Sequence, residues 1–313
     1  MAYTTIDDPS AHFQATAYTG GGASTEVTNG GNSDLKPDFL WIKNRTAGYA
    51  HFVVDSNRNI SYAQNSSNAP YLETDSTAVE NSNQNWMASV NTNGFTTGIA
   101  EHINNNSGSA YVAWQWKCNG GTTASNTDGD ITSTVQANTD AGFSIITYTA
   151  SGTTDDTIGH GLGVEPDIAI FKRRDVATGN WDVQENNGGV TGAAAFRHTL
   201  NLTDGTATNV LSSFSSSTIG LSTGGDAQKN ISGSTYVCYA FKAVQGYSAF
   251  GTYFGNGKND GQFVYLGFKP ALVIFKVLSD PNHGWSMIDN ARSPFNLMDD
   301  NVFANSTDAE VTD

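Results

Sequence analysis

Cysteine, basic side chains and long apolar runs are all scarce in this sequence. Only two cysteines, Cys118 and Cys238, occur in 313 residues, so no disulfide framework can hold the fold together. Neither belongs to a CxxC pair and no HxxxH spacing occurs, which leaves zinc without a ligand set. Charged residues make up 14%, and acids outnumber bases 30 to 15 for a net charge of −15. A chain so poor in lysine and arginine is badly suited to a phosphate backbone, so no nucleic-acid partner is expected. No apolar run is long enough to cross a bilayer, and no membrane insertion is expected. Met1 is followed by polar residues instead of a basic-then-apolar leader. A place outside cells would then be reached by another route, such as release of assembled particles by lysis.

Glycine, serine, threonine and asparagine are plentiful, and the aromatic content of 11% is high for so polar a chain. Disordered chains are depleted in aromatic and β-branched residues, so this mixture points to short strands joined by many turns. The fold class predicted is all-β.

Self-similarity is the strongest signal. Pro37-Asp38-Phe39-Leu40-Trp41-Ile42-Lys43 returns as Pro166-Asp167-Ile168-Ala169-Ile170-Phe171-Lys172 and as Pro270-Ala271-Leu272-Val273-Ile274-Phe275-Lys276. Proline opens each segment where no ladder donor is needed, and the apolar run predicts a central strand covered on both faces. The lysine is expected to mark emergence into water, with Lys43 and Arg45, Lys172 with Arg173 and Arg174, and Lys276 as solvated strand ends, while their recurrence in an acidic chain leaves a shared placement, pairing with a carboxylate or facing the next domain, as the alternative. An aromatic-led segment precedes each copy: Phe13 to Thr19, Phe143 to Thr149, and Tyr247 to Tyr253, the last with one extra residue that a bulge would absorb. A closing segment, Tyr111-Val112-Ala113-Trp114-Gln115-Trp116-Lys117, matches Tyr236-Val237-Cys238-Tyr239-Ala240-Phe241-Lys242. Val112, Trp114 and Trp116 fall on one face, as do Val237, Tyr239 and Phe241, and these rows should face a core.

The repeat unit spans about 105 residues, the size of a β-sandwich domain. The expected organisation is a first sandwich over residues 1–118, a linker or arm over 119–141, a second sandwich over 142–245 and a partial third repeat over 246–313. A jelly-roll or lectin-like sandwich fits each full copy. The third copy has no closing Tyr-Val-aromatic strand, so more chain or a neighbouring subunit is expected to complete it.

The opening Thr4-Thr5-Ile6-Asp7-Asp8-Pro9-Ser10, the Pro-Asp-apolar-Lys strand, the Tyr-Val-Ala-Trp-Gln-Trp-Lys strand and the stretch from Asn126 to Val135 together resemble a tandem β-repeat domain of virion proteins in marine tailed bacteriophages. The resemblance covers essentially the whole chain. It implies a fibre, decoration or receptor-binding role on the virion surface. Its implied partners are other virion proteins, further copies of the chain in a homo-oligomer, with a trimer as the candidate, and a host cell-surface glycan or protein. No catalytic or ligand residue is implied by it.

Motifs for chemistry are lacking. No Gly-x-Ser-x-Gly elbow or phosphate-cradling glycine loop is present. Asp155, Asp156 and His160 lie in a turn-rich stretch where such side chains usually bond the local backbone. No enzymatic activity and no cofactor are expected. Asp128 and Asp130 offer oxygen ligands suited to calcium, but they lack the alternation and distal glutamate of an EF-hand loop, and a plain linker is the preferred reading. Trp181 and Trp285 follow the proline-led strand at similar distances among polar residues, and they are the better candidates for an exposed sugar-stacking contact, although structural packing is the preferred reading even there. The function this predicts is a structural virion fibre or appendage attaching to a host by repeated weak contacts. A capsid decoration protein and a carbohydrate-binding module are the alternatives.

Overall fold

Alternation of large apolar residues becomes antiparallel pairing over most of the chain. The computed structural model describes residues 4–58, 69–82, 86–99, 101–186, 197–204, 213–221, 228–258, 260–295 and 298–312. The first repeat holds β1 (Phe13–Thr19), β2 (Glu26–Thr28), β3 (Phe39–Asn44), β4 (His51–Asp55), β5 (Leu72–Glu73), β6 (Met87–Asn91), β7 (Gly94–Thr97) and β8 (Ala110–Trp116). Next come β9 (Ala124–Asn126), β10 (Ser133–Asn138), β11 (Phe143–Thr149), β12 (Thr157–Gly159), β13 (Ile168–Arg173), β14 (Trp181–Glu185), β15 (Arg197–Thr199), β16 (Thr218–Gly220) and β17 (Thr235–Phe241). The third repeat supplies β18 (Leu272–Lys276), β19 (Trp285–Asp289), β20 (Asp300–Phe303) and β21 (Val311–Thr312). The protein is all-β and sandwich-like, with single turns of 3-10 or π helix as its helical elements among the described residues.

The strand order β1-β8-β3-β4-β5 of the first sheet recurs as β11-β17-β13-β14-β15 in the second, and β18-β19-β20 is a third version of β3-β4-β5. Register matches too. Phe39, Trp41 and Lys43 lie opposite Trp116, Trp114 and Val112, while Ile168, Ile170 and Lys172 lie opposite Phe241, Tyr239 and Val237. The stretch over 119–141, expected as a linker, instead adds β9 and β10 to the second sheet, with Val135 opposite Ile146. Ser133, Val135 and Gln136 are buried there. The polar composition hid a strand whose burial comes from its neighbours.

Each of the first two repeats has its own sandwich core. Leu40, Ile42, Tyr111 and Ala113 pack against Val27, Met87 and Phe95 of a small sheet ordered β2-β7-β6. In the second repeat Ile146, Phe171, Tyr236 and Cys238 pack against Ile158 and Ile219 of the β12-β16 pair. The opposite faces of the three main sheets meet in one central core. Trp41, Val53 and Trp114 come from the first repeat, Trp181, Val183 and Tyr239 from the second, and Trp285, Met287 and Val302 from the third. The repeats are therefore not independent sandwiches on a string. The two cysteines are free and lie in different cores, Cys118 in the central one and Cys238 in that of the second repeat.

The lysine contacts between repeats run one way around a ring. The proline-strand lysines, expected in water, plug into carbonyls of the repeat before. Lys172 Nζ donates to Thr77 O at 3.0 Å and to Gly179 O at 2.5 Å. Lys276 Nζ donates to Thr203 O at 2.9 Å and His283 O at 2.6 Å. Lys43 closes the ring, reaching Thr307 O of the third repeat at 3.1 Å and Tyr49 O at 2.7 Å. Lys43 and Lys172 are fully buried. An ammonium group without water must find acceptors, and each of these sockets provides them.

The same direction recurs one strand over. Trp181 Nε1 donates to Glu73 O at 2.7 Å and Trp285 Nε1 to Thr199 O at 3.0 Å. In the first repeat His51 holds that place, its Nδ1 accepting from Trp41 Nε1 at 3.0 Å. Burial pushes the His51 pKa well below the ordinary value, with the Phe303 carbonyl of the third repeat beside the ring. Closing-strand aromatics also reach back. Tyr239 donates to Asp55 Oδ2 at 2.6 Å, and Trp114 Nε1 to Asp289 Oδ2 at 3.0 Å. Each acceptor also holds a buried arginine, Arg58 at 2.5 Å and Arg292 at 2.6 Å. Glu80 then joins Arg58 to Arg174 of the second repeat, and Glu310 joins Arg292 to Arg45 of the first.

Two outcomes follow for stability. Trp114 is fully buried with its N–H engaged, so Trp114→Ala is expected to cost roughly 3–5 kcal/mol in urea unfolding; an unchanged midpoint would contradict its place in the shared core. Burial lowers the Lys43 and Lys172 pKa values to about 8, against about 10.4 in an unfolded chain. Between those values the unfolded chain binds more protons, so stability rises with pH through that window. The gap in melting temperature between wild type and Lys172→Met should widen on going from about pH 7.5 to about pH 9.5. A constant gap would show that Lys172 titrates as it would in water.

Candidate functional site

The titratable stretch around His160 is tied up locally. Asp155 sits at a turn with φ of 64°, and the Asp156 carboxylate accepts from the Ser151 hydroxyl. His160 is fully buried. Its Nδ1 accepts from Leu162 N and its Nε2 faces Ser215 O, both at 3.2 Å. Those roles fit a neutral ring, and burial lowers its pKa. No nucleophile is held against it in these contacts, so the arrangement braces turns.

Asp128 and Asp130 also serve the chain itself. Asp128 Oδ2 accepts from Asn126 Nδ2 at 3.0 Å, and Asp130 Oδ2 accepts from Thr157 N and Oγ1 at 3.1 and 2.8 Å, fastening the β9–β10 connection to β12. Among the described residues no three His, Cys, Asp or Glu side chains converge as a metal site would require. A shallow cleft of about 240 Å³ beside β9, lined by Asn119, Thr123, Ser125, Val135 and Gly161, carries no titratable side chain.

Trp181 and Trp285, the candidate stacking platforms, are only 1% and 8% exposed. They are inter-repeat packing residues, the reading preferred from the sequence, and not exposed platforms. Polar neighbours in sequence suggested a surface, but the indole N–H of each finds a backbone carbonyl on the adjoining repeat, which allows burial.

Among the described residues, most of the exposed large apolar side chains lie instead in the third repeat. Phe254, Phe263 and Tyr265 are 91%, 80% and 77% exposed, and Phe250, Tyr253 and Val264 are also exposed. The segment Tyr247 to Tyr253, expected as an opening strand, forms no strand. Its counterparts β1 and β11 are each held by a closing strand, β8 or β17, and no such strand flanks this segment among the described residues. For the same reason β18 pairs with β19 alone. Ile274 at its centre is 38% exposed, while Trp41 at the same register in β3, opposite Trp114, is 4% exposed.

One further position escaped sequence reasoning. Glu185 ends β14 opposite Ile168, as Asp55 ends β4 opposite Phe39 and Asp289 ends β19 opposite Leu272. Asp55 and Asp289 each accept from a closing-strand aromatic of the next repeat in the ring. Burial raises the pKa of Glu185. The pairing of the strands places these three acids in register, and the ring closure shows the duty that Asp55 and Asp289 share.

The candidate site is thus a surface of strand edge and exposed aromatic rings in the third repeat. No curated protein and no solved structure matches the chain. One family model spans residues 8–313, taking in all three repeats as a single unit. On that match the chain belongs to the family described as Domain of unknown function (DUF7483).

Proposed function

We propose that the protein is a structural, non-enzymatic virion protein of a tailed phage, a fibre or surface appendage that attaches to the host through many weak contacts. The observation that carries this reading is the contrast within the ring. Two repeats are closed sandwiches, whereas the third leaves a strand edge and several aromatic side chains in water. A folded protein seldom leaves such a face bare unless another surface meets it. Incorporation into an assembly with other virion proteins or further copies of the chain supplies that surface. Weak host contacts on each copy then combine through effective concentration. The resemblance of the repeat signatures to phage virion domains supplies the setting, and the virion surface is the location it implies.

Cryo-electron microscopy of purified particles, with antibody labelling of the chain, tests this. Projecting density that carries the three-repeat ring, together with reduced adsorption when antibody is bound, is the expected result. A chain absent from purified particles would overturn it. Density that coats the shell while adsorption is unaffected would replace attachment by decoration.

A further inference from the structure

We infer that His51 makes the junction between the third and first repeats an acid-operated joint of the ring, closed while the imidazole is neutral and opened when it takes up a second ring proton. The observation that carries this is a difference between equivalent positions. Lys43, Lys172 and Lys276 each lie opposite the first residue of the following strand, which is Trp181 in the second repeat, Trp285 in the third and His51 in the first. The two indoles donate to carbonyls of the repeat before, and an indole nitrogen is a donor only. At the remaining junction the same place is held by a side chain that changes charge near neutral pH.

Geometry fixes the neutral form. His51 is fully buried, and its Nδ1 accepts from Trp41 Nε1 at 3.0 Å, so the ring proton belongs on Nε2. Nε2 completes no hydrogen bond, although the Phe303 carbonyl of the third repeat lies beside the ring. A second proton would sit on Nδ1 and point at the Trp41 N–H, setting two donors against each other. Trp41 would then lose its acceptor inside the shared core, where an unpaired N–H is costly.

The surrounding charges give an imidazolium no relief. Lys43 faces His51 across the β3–β4 ladder. Arg292 approaches from the third repeat, its guanidinium 5.6 Å from the ring of Trp114, which in turn stacks on His51. Burial, then the charges of Lys43 and Arg292, holds the His51 pKa well below its ordinary value. Asp75 accepts from the His51 backbone N–H at 2.7 Å. Asp289 is engaged by Arg292 and Trp114, Glu310 by Arg292 and Arg45, and Asp308 acts on Lys43. Among the described residues none of these carboxylates is bonded to the imidazole. His198, edge-on to Trp285 at the junction of the second and third repeats, differs in having Glu185 Oε1 at 3.8 Å from its Nε2.

A solvated histidine titrates near about 6.5, so the open junction binds more protons than the closed one. The His51 contribution to closure is therefore complete above about pH 6.5 and is lost as pH falls below it. Burial raises Asp75 to about 6, and that shift acts in the opposite sense because the closed form holds the proton more tightly. A test must separate the two.

Two equivalent backbone bonds report the joints. Glu310 N donates to Arg45 O at 2.9 Å between the third and first repeats, and Glu80 N to Arg174 O at 3.0 Å between the first and second. Hydrogen exchange of the full chain at about pH 7 and about pH 5, corrected for intrinsic exchange, compares their protection. His51→Gln keeps an acceptor for Trp41 and an N–H, retains Asp75 and His198, and cannot titrate. From pH 7 to pH 5 the ratio of Glu310 to Glu80 protection is expected to fall roughly twentyfold further in wild type than in His51→Gln, the response of one group that titrates near 6.5 when open and stays neutral when closed. Should His51→Gln fail to fold, His51→Trp, the residue of the other two junctions, takes its place as reference. A constant ratio in wild type, or an equal fall in the variant, would overturn the inference.

Discussion

The ammonium groups that end the proline-led strands, buried outright at Lys43 and Lys172 and partly covered at Lys276, constrain everything around them. Lys43 and Lys172 have no access to water, and a charge in that position is tolerable only with several oxygens close by. Each lysine finds part of that set in its own turn and part in the repeat before it, Thr77 for Lys172, Thr203 for Lys276 and Thr307 for Lys43. No repeat can satisfy its own lysine alone. The end of the third repeat must return to the beginning of the first, and the chain closes into a ring.

Ring closure explains why one apolar core is shared. The inner faces of β3, β13 and β18 are brought toward a common centre, where Trp41, Trp181 and Trp285 pack with Trp114, Tyr239 and Met287. Polar groups at the margin repeat the same direction of reach. Tyr239 and Trp114 donate to Asp55 and Asp289, while Glu80 and Glu310 each join arginines of two repeats. Breaking one such buried pair by removing a single partner typically costs 3–5 kcal/mol. The junctions are therefore cooperative with the core and not ornaments on it. The acidic net charge of −15 is spread over a molecule in which Lys43, Arg45, Arg58, Lys172, Arg174, Lys276 and Arg292 are engaged at these junctions.

Much of this was legible from residue order. The three proline-led strands, the two closing strands and the row formed by Val112, Trp114 and Trp116 follow from repetition and period-two alternation. What misled was local composition. A lysine at the end of an apolar run reads as a strand leaving the protein, and only carbonyls far away in sequence reverse that meaning. Trp181 and Trp285 stayed open as surface candidates because their sequence neighbours are polar, with packing preferred, and the carbonyls of Glu73 and Thr199 lie over their N–H groups. Residues 119–141 read as a linker, yet β10 is held between β9 and β11. The missing closing strand of the third repeat was visible as a gap in the repetition. Glu185 holds in the second repeat the register position of Asp55 and Asp289, and only the pairing of the strands brings that out.

Native-state hydrogen exchange of the whole chain tests the shared ring most directly, because slowly exchanging amides report the free energy of the unit that opens. The slowest amides of β8, β17 and β19 are expected to share one opening free energy, and Glu310→Gln at the junction of the third and first repeats should lower it equally in all three. Three separate opening energies, with the loss confined to β19 and its neighbours, would contradict a common core and return the protein to independent sandwiches.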